Sequence, residues 1–404
     1  MERKKRVAII GTVGVPACYG GFETLAEKLV VNLDKRYDLR VYCSGKRYAK
    51  TDRKPTFRKA KLTYIPLDAN GIQSIPYDAL SILHALFVAD VLLILGVSGC
   101  FLLPFVRLFT RKRIIVSIDG IEWKRAKWNK MARWYLWYAE RLAVRYAHAD
   151  ISDNESIQDY TAMRYNTLSR IIEYGADHTL RPTITPSDKE RYPLLGSNYA
   201  FKVARIEPEN NVHVVLEAFA PLVQRTLVVV GNWEKSEYGR ALRQKYADHK
   251  HMLLLDPIYD QRELDLLRGN CALYIHGHSA GGTNPSLVEA MYLGRPIIAY
   301  GVSYNRTTTE GKAAYFSDAR ELRNHVLGLG SEELQGMGLT MERIAQRRYT
   351  WRTIAHKYMD LIERVVEAGE KPRIRAAVPA PLAAQYTQLG LTHLTHAAPF
   401  FEKR

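Results

Sequence analysis

The sequence predicts an α/β protein built of two doubly wound halves, on three observations. Short apolar runs alternate with longer amphipathic ones, the pattern of parallel strands covered by helices on both faces. The alternation stops over a polar, proline-bearing stretch, 178–198, and then resumes. Finally, 404 residues that are 47% hydrophobic and 25% charged suffice for two cores at about 150 residues per domain.

In chain order, strands are expected at 7–10, 39–43, 63–66, 91–95, 114–118, 149–152 and 171–173. Helices fit between them at 23–33, 75–87, 131–147 and 155–165. The run following Asp90, up to Phe109, is the most apolar and the one candidate for a membrane span. A span needs about 20 uninterrupted apolar residues, whereas this run contains Gly96, Ser98, Gly99 and Pro104. A buried strand, a glycine turn and a short helix fit it better. Together these elements make a first domain, 1–180, followed by a linker, 181–198. The second domain, 199–350, carries strands at 199–204, 226–230, 252–255, 273–275 and 296–299, with helices at 212–222, 237–247 and 285–293. A long helix, 351–367, follows the second sheet, and 368–404, rich in Ala, Pro and Thr, reads as a weakly packed tail.

The formal charge of +16 favours a polyanionic partner: nucleic acid, an anionic membrane surface or phosphorylated substrates. Four cysteines, Cys18, Cys43, Cys100 and Cys271, form no C-x-x-C pair and read as free thiols in a reducing cytoplasm. The basic start runs straight into a strand with no apolar segment or cleavage site, so no export signal is expected. No Asp-x-Asp pair occurs to hold a metal, and His276 and His278 have no third ligand at a sensible spacing.

Two glycine-bearing loops carry the chemistry. The first, GTVGVPACYGGFE from Gly11 to Glu23, joins the first strand to the first helix and includes Gly20 and Gly21. It lacks the G-x-G-x-x-G spacing, which argues against a dinucleotide, and it is either an anion cradle at a helix N-terminus or a tight turn. The second is HGHSAGGTNPSLVEAM, from His276 to Met291. Pro285 suits the first helical position, Asn284 or Thr283 the N-cap, and Gly281 and Gly282 would let a phosphate approach the amides. Glu289, one turn inside, needs a partner: either a nucleotide ribose or a neighbouring basic group.

A third stretch, 122–138, concentrates four of the six tryptophans with five cationic residues, among them Lys124, Arg125, Lys127 and Trp128. Tryptophan with lysine and arginine suits an anionic membrane boundary, although a packed helix with a solvated basic face accounts for it equally. Nucleic acid is not expected as the partner, because no nucleic-acid motif accompanies the stretch.

The motifs GTVGVPACYGGFETLAEKL, SIDGIEWKRAKW, SDNESIQDY, EYGAD, ARIEPENN and HGHSAGGTNPSLVEAM, in this order, resemble GT-B glycosyltransferases of the retaining family 4 type. The closer resemblance is to their bacterial rhamnosyltransferase-like branch, over roughly residues 7–365. It implies two Rossmann-like domains facing a cleft, with the nucleotide-sugar donor in the second and the acceptor in the first. It also implies no cofactor beyond the donor itself, dTDP-rhamnose or a UDP-sugar, and a lipid-linked saccharide acceptor in surface polysaccharide and O-antigen assembly. The enzyme would be cytoplasmic and peripheral on the inner face of the cell membrane. Arg205 matches the arginine that holds the donor diphosphate, while Asn210 and Asn211 replace the lysine that usually follows. Their amides would take over its work, or His276, His278 and the helix amides would share it. Gly281 replaces the first glutamate of the family's E-x7-E pair, leaving Glu289. The resemblance thus implies donor contacts from Gly20, Gly21, Arg205, Asn211, His278, Gly282, Thr283, Asn284 and Glu289. Asp119 matches the position of a first-domain histidine near the reacting carbon, or else caps the next helix. Asp153 and Tyr174, at the ends of the following two strands, would assist, with Asp153 equally placed to cap 155–165.

Overall fold

The computed structural model describes residues 4–17, 20–118, 120–124 and 128–368. They form two compact units: residues up to Glu173 together with those from Trp351, and Tyr174–Thr350.

The strands of the first unit are β1 (Arg6–Ile10), β2 (Asp38–Ser44), β3 (Thr56–Phe57), β4 (Ala60–Ile65), β5 (Val91–Leu95), β6 (Arg113–Ile118), β7 (Ala149–Ser152) and β8 (Arg170–Ile171). They make one sheet in the order β3-β4-β2-β1-β5-β6-β7-β8. Every pairing is parallel except the short edge hairpin of β3 with β4. The central strands are continuous apolar runs because both of their faces are covered: all five residues of β5 are buried. Helices α1 (Gly21–Leu33), α2 (Ser74–Val88), α3 (Leu103–Phe109), α4 (Lys130–Tyr146) and α5 (Glu155–Tyr165) supply the cover. Ala8, Ile10, Ile94 and Val116 pack against Ile82 of α2, Val106 of α3 and Ala139 of α4 on one face.

The second unit holds β9 (Tyr199–Val203), β10 (Thr226–Val230), β11 (Met252–Leu255), β12 (Leu273–His276), β13 (Ile297–Tyr300) and β14 (Ala314–Phe316). Its sheet is fully parallel in the order β11-β10-β9-β12-β13-β14. Its helices are α6 (Pro186–Arg191), α7 (Val212–Phe219), α8 (Glu237–Lys245), α9 (Gln261–Gly269), α10 (Pro285–Tyr292), α11 (Ser303–Thr308), α12 (Ala319–Gly328) and α13 (Ser331–Arg348). Phe201, Val228 and Tyr274 face α9, α10 and α13, while Ala200, Leu227 and Ile275 face α7, α8 and α12. Both units are therefore doubly wound, as expected.

Two segments lie elsewhere than the sequence suggests. Residues 181–198 are part of the second unit rather than a free linker: Thr185 and Asp188 form a capping box on α6, Arg262 grips Asp188 with two hydrogen bonds of 3.0 Å, and Leu194 and Leu195 enter the core. The last helix, α14 (Trp351–Ala368), does not close the second sheet but packs on α1 and β6 of the first unit. Its Lys357 pairs with the buried Glu173, and its Glu363 accepts from Arg36 and, at 3.3 Å, from Tyr37. Residues 369–404 lie outside the described residues. Among the described residues no helix is long and apolar enough to cross a membrane, and Cys43, Cys100 and Cys271 are buried.

Candidate functional site

In a doubly wound sheet, ligands bind beyond the strands' C-terminal ends where the strand order reverses. In the second unit that point is β9, flanked by β10 and β12. The chain leaves β9 at Ala204 and β12 at Gly277, so the two motif loops arise side by side. They are tied together: Asn211 Nδ2 donates to the Gly277 carbonyl at 2.9 Å, and the Ser279 amide and hydroxyl donate to the Glu209 carbonyl at 2.8 and 2.9 Å. Asn210 Nδ2 closes its own loop on the Arg205 carbonyl at 2.7 Å. Both asparagine amides thus bind loop carbonyls, that of Asn211 fastening the two loops to each other. Asn211 has φ +48°, the left-handed region that asparagine tolerates.

Arg205 stands at the mouth of this lattice with its side chain 39% exposed and its Nε 3.7 Å from Glu207. Opposite it, α10 begins as expected, with Pro285 at its first position and Asn284 as the cap accepting from the Ser286 amide at 3.2 Å. The Leu287 amide is taken by the Asn284 carbonyl. An anion at this helix end therefore meets the Gly281–Asn284 turn, which includes the buried Gly282 and Thr283, rather than the helix's first turn. His278 is buried below that turn, and its ring stacks on His276 at 4.4 Å.

Glu289 has the second of its two expected partners. Its carboxylate is paired with the buried Arg268 and lies 3.2 Å from His178 Nε2, while Arg268 is held from its other side by Asp265. Burial pushes the Glu289 carboxyl up, but Arg268 and His178 outweigh it and hold it down at about 2.

The first unit has its own reversal at β1, between β2 and β5. Gly11, at φ +89°, passes so close to β5 that a Cβ would meet the Leu95 carbonyl at 2.0 Å. The cradle expected at Gly20 and Gly21 is closed by the chain's own acids. Glu23 accepts from the Val13 amide at 3.0 Å and Glu27 from the Ala17 amide at 2.7 Å. A Cβ on Gly20 would meet the Glu23 carboxylate, so a phosphate there would meet a carboxylate. Asp119 lies outside the described residues. Asp153 is buried beyond β7, where its charge adds to the burial that raises the phenol of Tyr358 on α14, while Asn154 is the cap of α5, accepting from Ser156 at 2.9 Å. Tyr174 is buried at the start of the second unit.

The basic aromatic stretch turns partly inward. Trp128 packs on the core and donates to Glu122 at 3.0 Å, a correction to its expected membrane role. Arg164 lies 4.9 and 5.0 Å from the rings of Trp123 and Trp137, and it bonds the buried Glu140 at 3.1 Å. Arg125, Lys127 and the side chain of Lys124 lie outside the described residues. Two groups escaped sequence reasoning because each reads as an ordinary polar position in an amphipathic pattern. Asp78 of α2, beside Gly99, is buried and its carboxyl is pushed up to about 8, and Lys202 of β9 is buried beneath the Gly277 turn. No group of His, Cys, Asp or Glu able to hold a metal occurs among the described residues.

Residues 185–320, spanning α6 to the start of α12, match the profile of glycosyl transferases group 1. Residues 4–177 match a domain of unknown function, DUF1972. No curated protein matches the sequence. Among solved structures, this chain is similar to sucrose-phosphate synthase from Thermosynechococcus elongatus, with 14% identity and a TM-score of 0.75 over 91% of this chain and 100% of that one. It is also similar to HepE of Anabaena in complex with UDP-glucose, with 16% identity and a TM-score of 0.67 over 89% and 100%. A trehalose-6-phosphate synthase, OtsA, follows at 10% identity and a TM-score of 0.69 over 90% and 99%. The fold is that of the GT-B glycosyltransferases.

The Glu289 pairing has a measurable consequence. Because its carboxyl is lowered from 4.5 to about 2, its stabilising contribution is full above pH 4.5 and lost as pH falls through about 2. Glu289→Gln should cost about 3–5 kcal/mol in urea unfolding at pH 7, since it strips a buried cation of a partner. The deficit should shrink between pH 4.5 and 2, and a deficit that stays constant over that range would contradict the pairing.

Proposed function

We propose that the protein is a retaining, metal-independent glycosyltransferase that moves L-rhamnose from dTDP-rhamnose onto a lipid-pyrophosphate-linked saccharide in bacterial surface polysaccharide synthesis. The observation that carries the reading is the coincidence of the group 1 match with the tied loops at β9 and β12. Arg205, His278 and the Gly281–Asn284 turn would hold the diphosphate by charge and main-chain donors, with Thr283 beside them. Glu289, fixed by Arg268, would present its remaining lone pairs to the donor's ribose. The diphosphate would leave from the face that the acceptor attacks and take the acceptor's proton, so no strong base is required. Asp119 would orient the acceptor hydroxyl, with Asp153 and Tyr174 as auxiliaries. The rhamnose assignment rests on the motif resemblance. A UDP-sugar is the second reading, favoured by the bound UDP-glucose of the similar HepE.

A lipid-linked acceptor calls for a membrane-facing surface, and the first unit offers one on α2, α3 and α4. Phe109 is 75% exposed, Met131 82% and Trp134 66%, with Phe87, Phe105 and Leu108 also exposed. Trp134 stacks on Tyr138 at 5.8 Å. The three helices contain only two carboxylates, Asp78 and Glu140, and both are buried, whereas Lys130, Arg141 and Arg145 are exposed. Helices whose exposed side chains are apolar or cationic and whose own carboxylates are buried fit an anionic bilayer. They would place the enzyme on the cytoplasmic side of the cell membrane.

Incubation with dTDP-rhamnose or UDP-sugars and detergent-dispersed lipid-pyrophosphate saccharides should add the mass of one deoxyhexose or hexose to the acceptor. Arg205→Ala should raise the donor KM by about 10–100-fold, the worth of a lost charge-assisted hydrogen bond. No transfer from any donor would overturn the assignment. Separately, the protein should sediment with vesicles containing phosphatidylglycerol, and Phe105→Ser with Trp134→Ser should abolish this without changing the melting temperature. Equal sedimentation of the variant would remove this face from the account.

A further inference from the structure

Lys202 is fully buried on β9 and its Nζ has no hydrogen-bond partner. A buried amine left unsatisfied is costly and calls for a reason. Its surroundings are the loop lattice itself. A Cβ on Gly277 would lie 2.7 Å from Lys202 Nζ and 2.5 Å from the Asn210 carbonyl oxygen, so the amine occupies space that only a glycine leaves open. Gly277 begins the same turn that ends at Asn284, the cap of α10. His276 at the end of β12 is close enough for the amine to act on it electrostatically, while Arg205, Glu207 and Glu209 follow in sequence on the β9–α7 loop and His278 and Glu289 beyond β12. Glu207 is turned to Arg205 and Glu289 to Arg268 and His178. Among the described residues no carboxylate pairs with Lys202.

We propose that Lys202 is a donor-binding residue whose ammonium meets the nucleotide-sugar diphosphate from beneath the Gly277 turn, and that the protein takes up a proton as the diphosphate binds. The proposal rests on the donor site proposed above. It supplies a cation where Asn210 and Asn211, neutral amides held to loop carbonyls, do not. Burial alone holds the amine down at about 7, so near neutrality part of the population is unprotonated; two phosphate charges nearby would favour the ammonium. His276, fully buried and pushed well below its ordinary range partly by Lys202, stays neutral and does not compete for the proton. The same burial makes the lysine a liability to folding: the penalty begins below 10.5 and is complete below about pH 7.

Calorimetric titration with dTDP and UDP at pH 7, in two buffers of different ionisation enthalpy, tests this. The native protein should take up a fraction of a proton per nucleotide. Lys202→Met should melt at a higher temperature, bind about 10–100-fold more weakly and take up none. Lys202→Arg, which keeps the charge but does not titrate, should recover part of the affinity with no uptake. A Met variant equal to the native protein in affinity and uptake overturns the role of Lys202 and leaves the donor site standing. Failure of the native protein to bind either nucleotide overturns both.

Discussion

Everything in the second unit's site depends on two loops being fastened to each other. The loops following β9 and β12 leave adjacent parallel strands, and the Asn211 and Ser279 side chains bind across them to main-chain carbonyls. Each of these bonds is worth only about 1 kcal/mol net, but breaking one would strand a buried polar group at greater cost. The result is a rigid mouth with Arg205 on one side and the capped end of α10 on the other. Ligand groups that need fixed positive charge gain from such a frame because little reorganisation remains to be done on binding.

The same logic explains how the site's ions are handled. Glu289 and Arg268 are held in a chain with Asp265 and His178, so the carboxylate's direction is set before any ligand arrives. Glu23 and Glu27 do the opposite at α1: they fill their loop's donors and make that helix end unattractive to phosphate. Two superficially similar glycine loops thus differ in which charge occupies the helix end, and only the second remains suited to an anion.

Much of this was legible in the sequence where the chemistry is local. Asn284 and Pro285 announce the start of α10, and VLLIL announces a strand buried on both faces. What depends on distant partners was not legible. The amphipathic pattern of α14 gives it a face to bury but not the sheet to bury it on, and its anchors, Glu173 and Arg36, are far away in sequence. The pairing of Glu289 with Arg268 crosses two elements, and Asn211 looks like a ligand contact until its acceptor on the other loop is seen. Trp128 satisfied the composition of a membrane anchor, yet its indole N–H has a carboxylate inside the fold.

The most direct measurement is a crystal structure with dTDP or UDP bound. The account places the diphosphate within hydrogen-bond distance of the Arg205 guanidinium and of main-chain donors in the Gly281–Asn284 turn. A diphosphate bound instead at the start of α1, or anywhere away from the β9 and β12 loops, would contradict it.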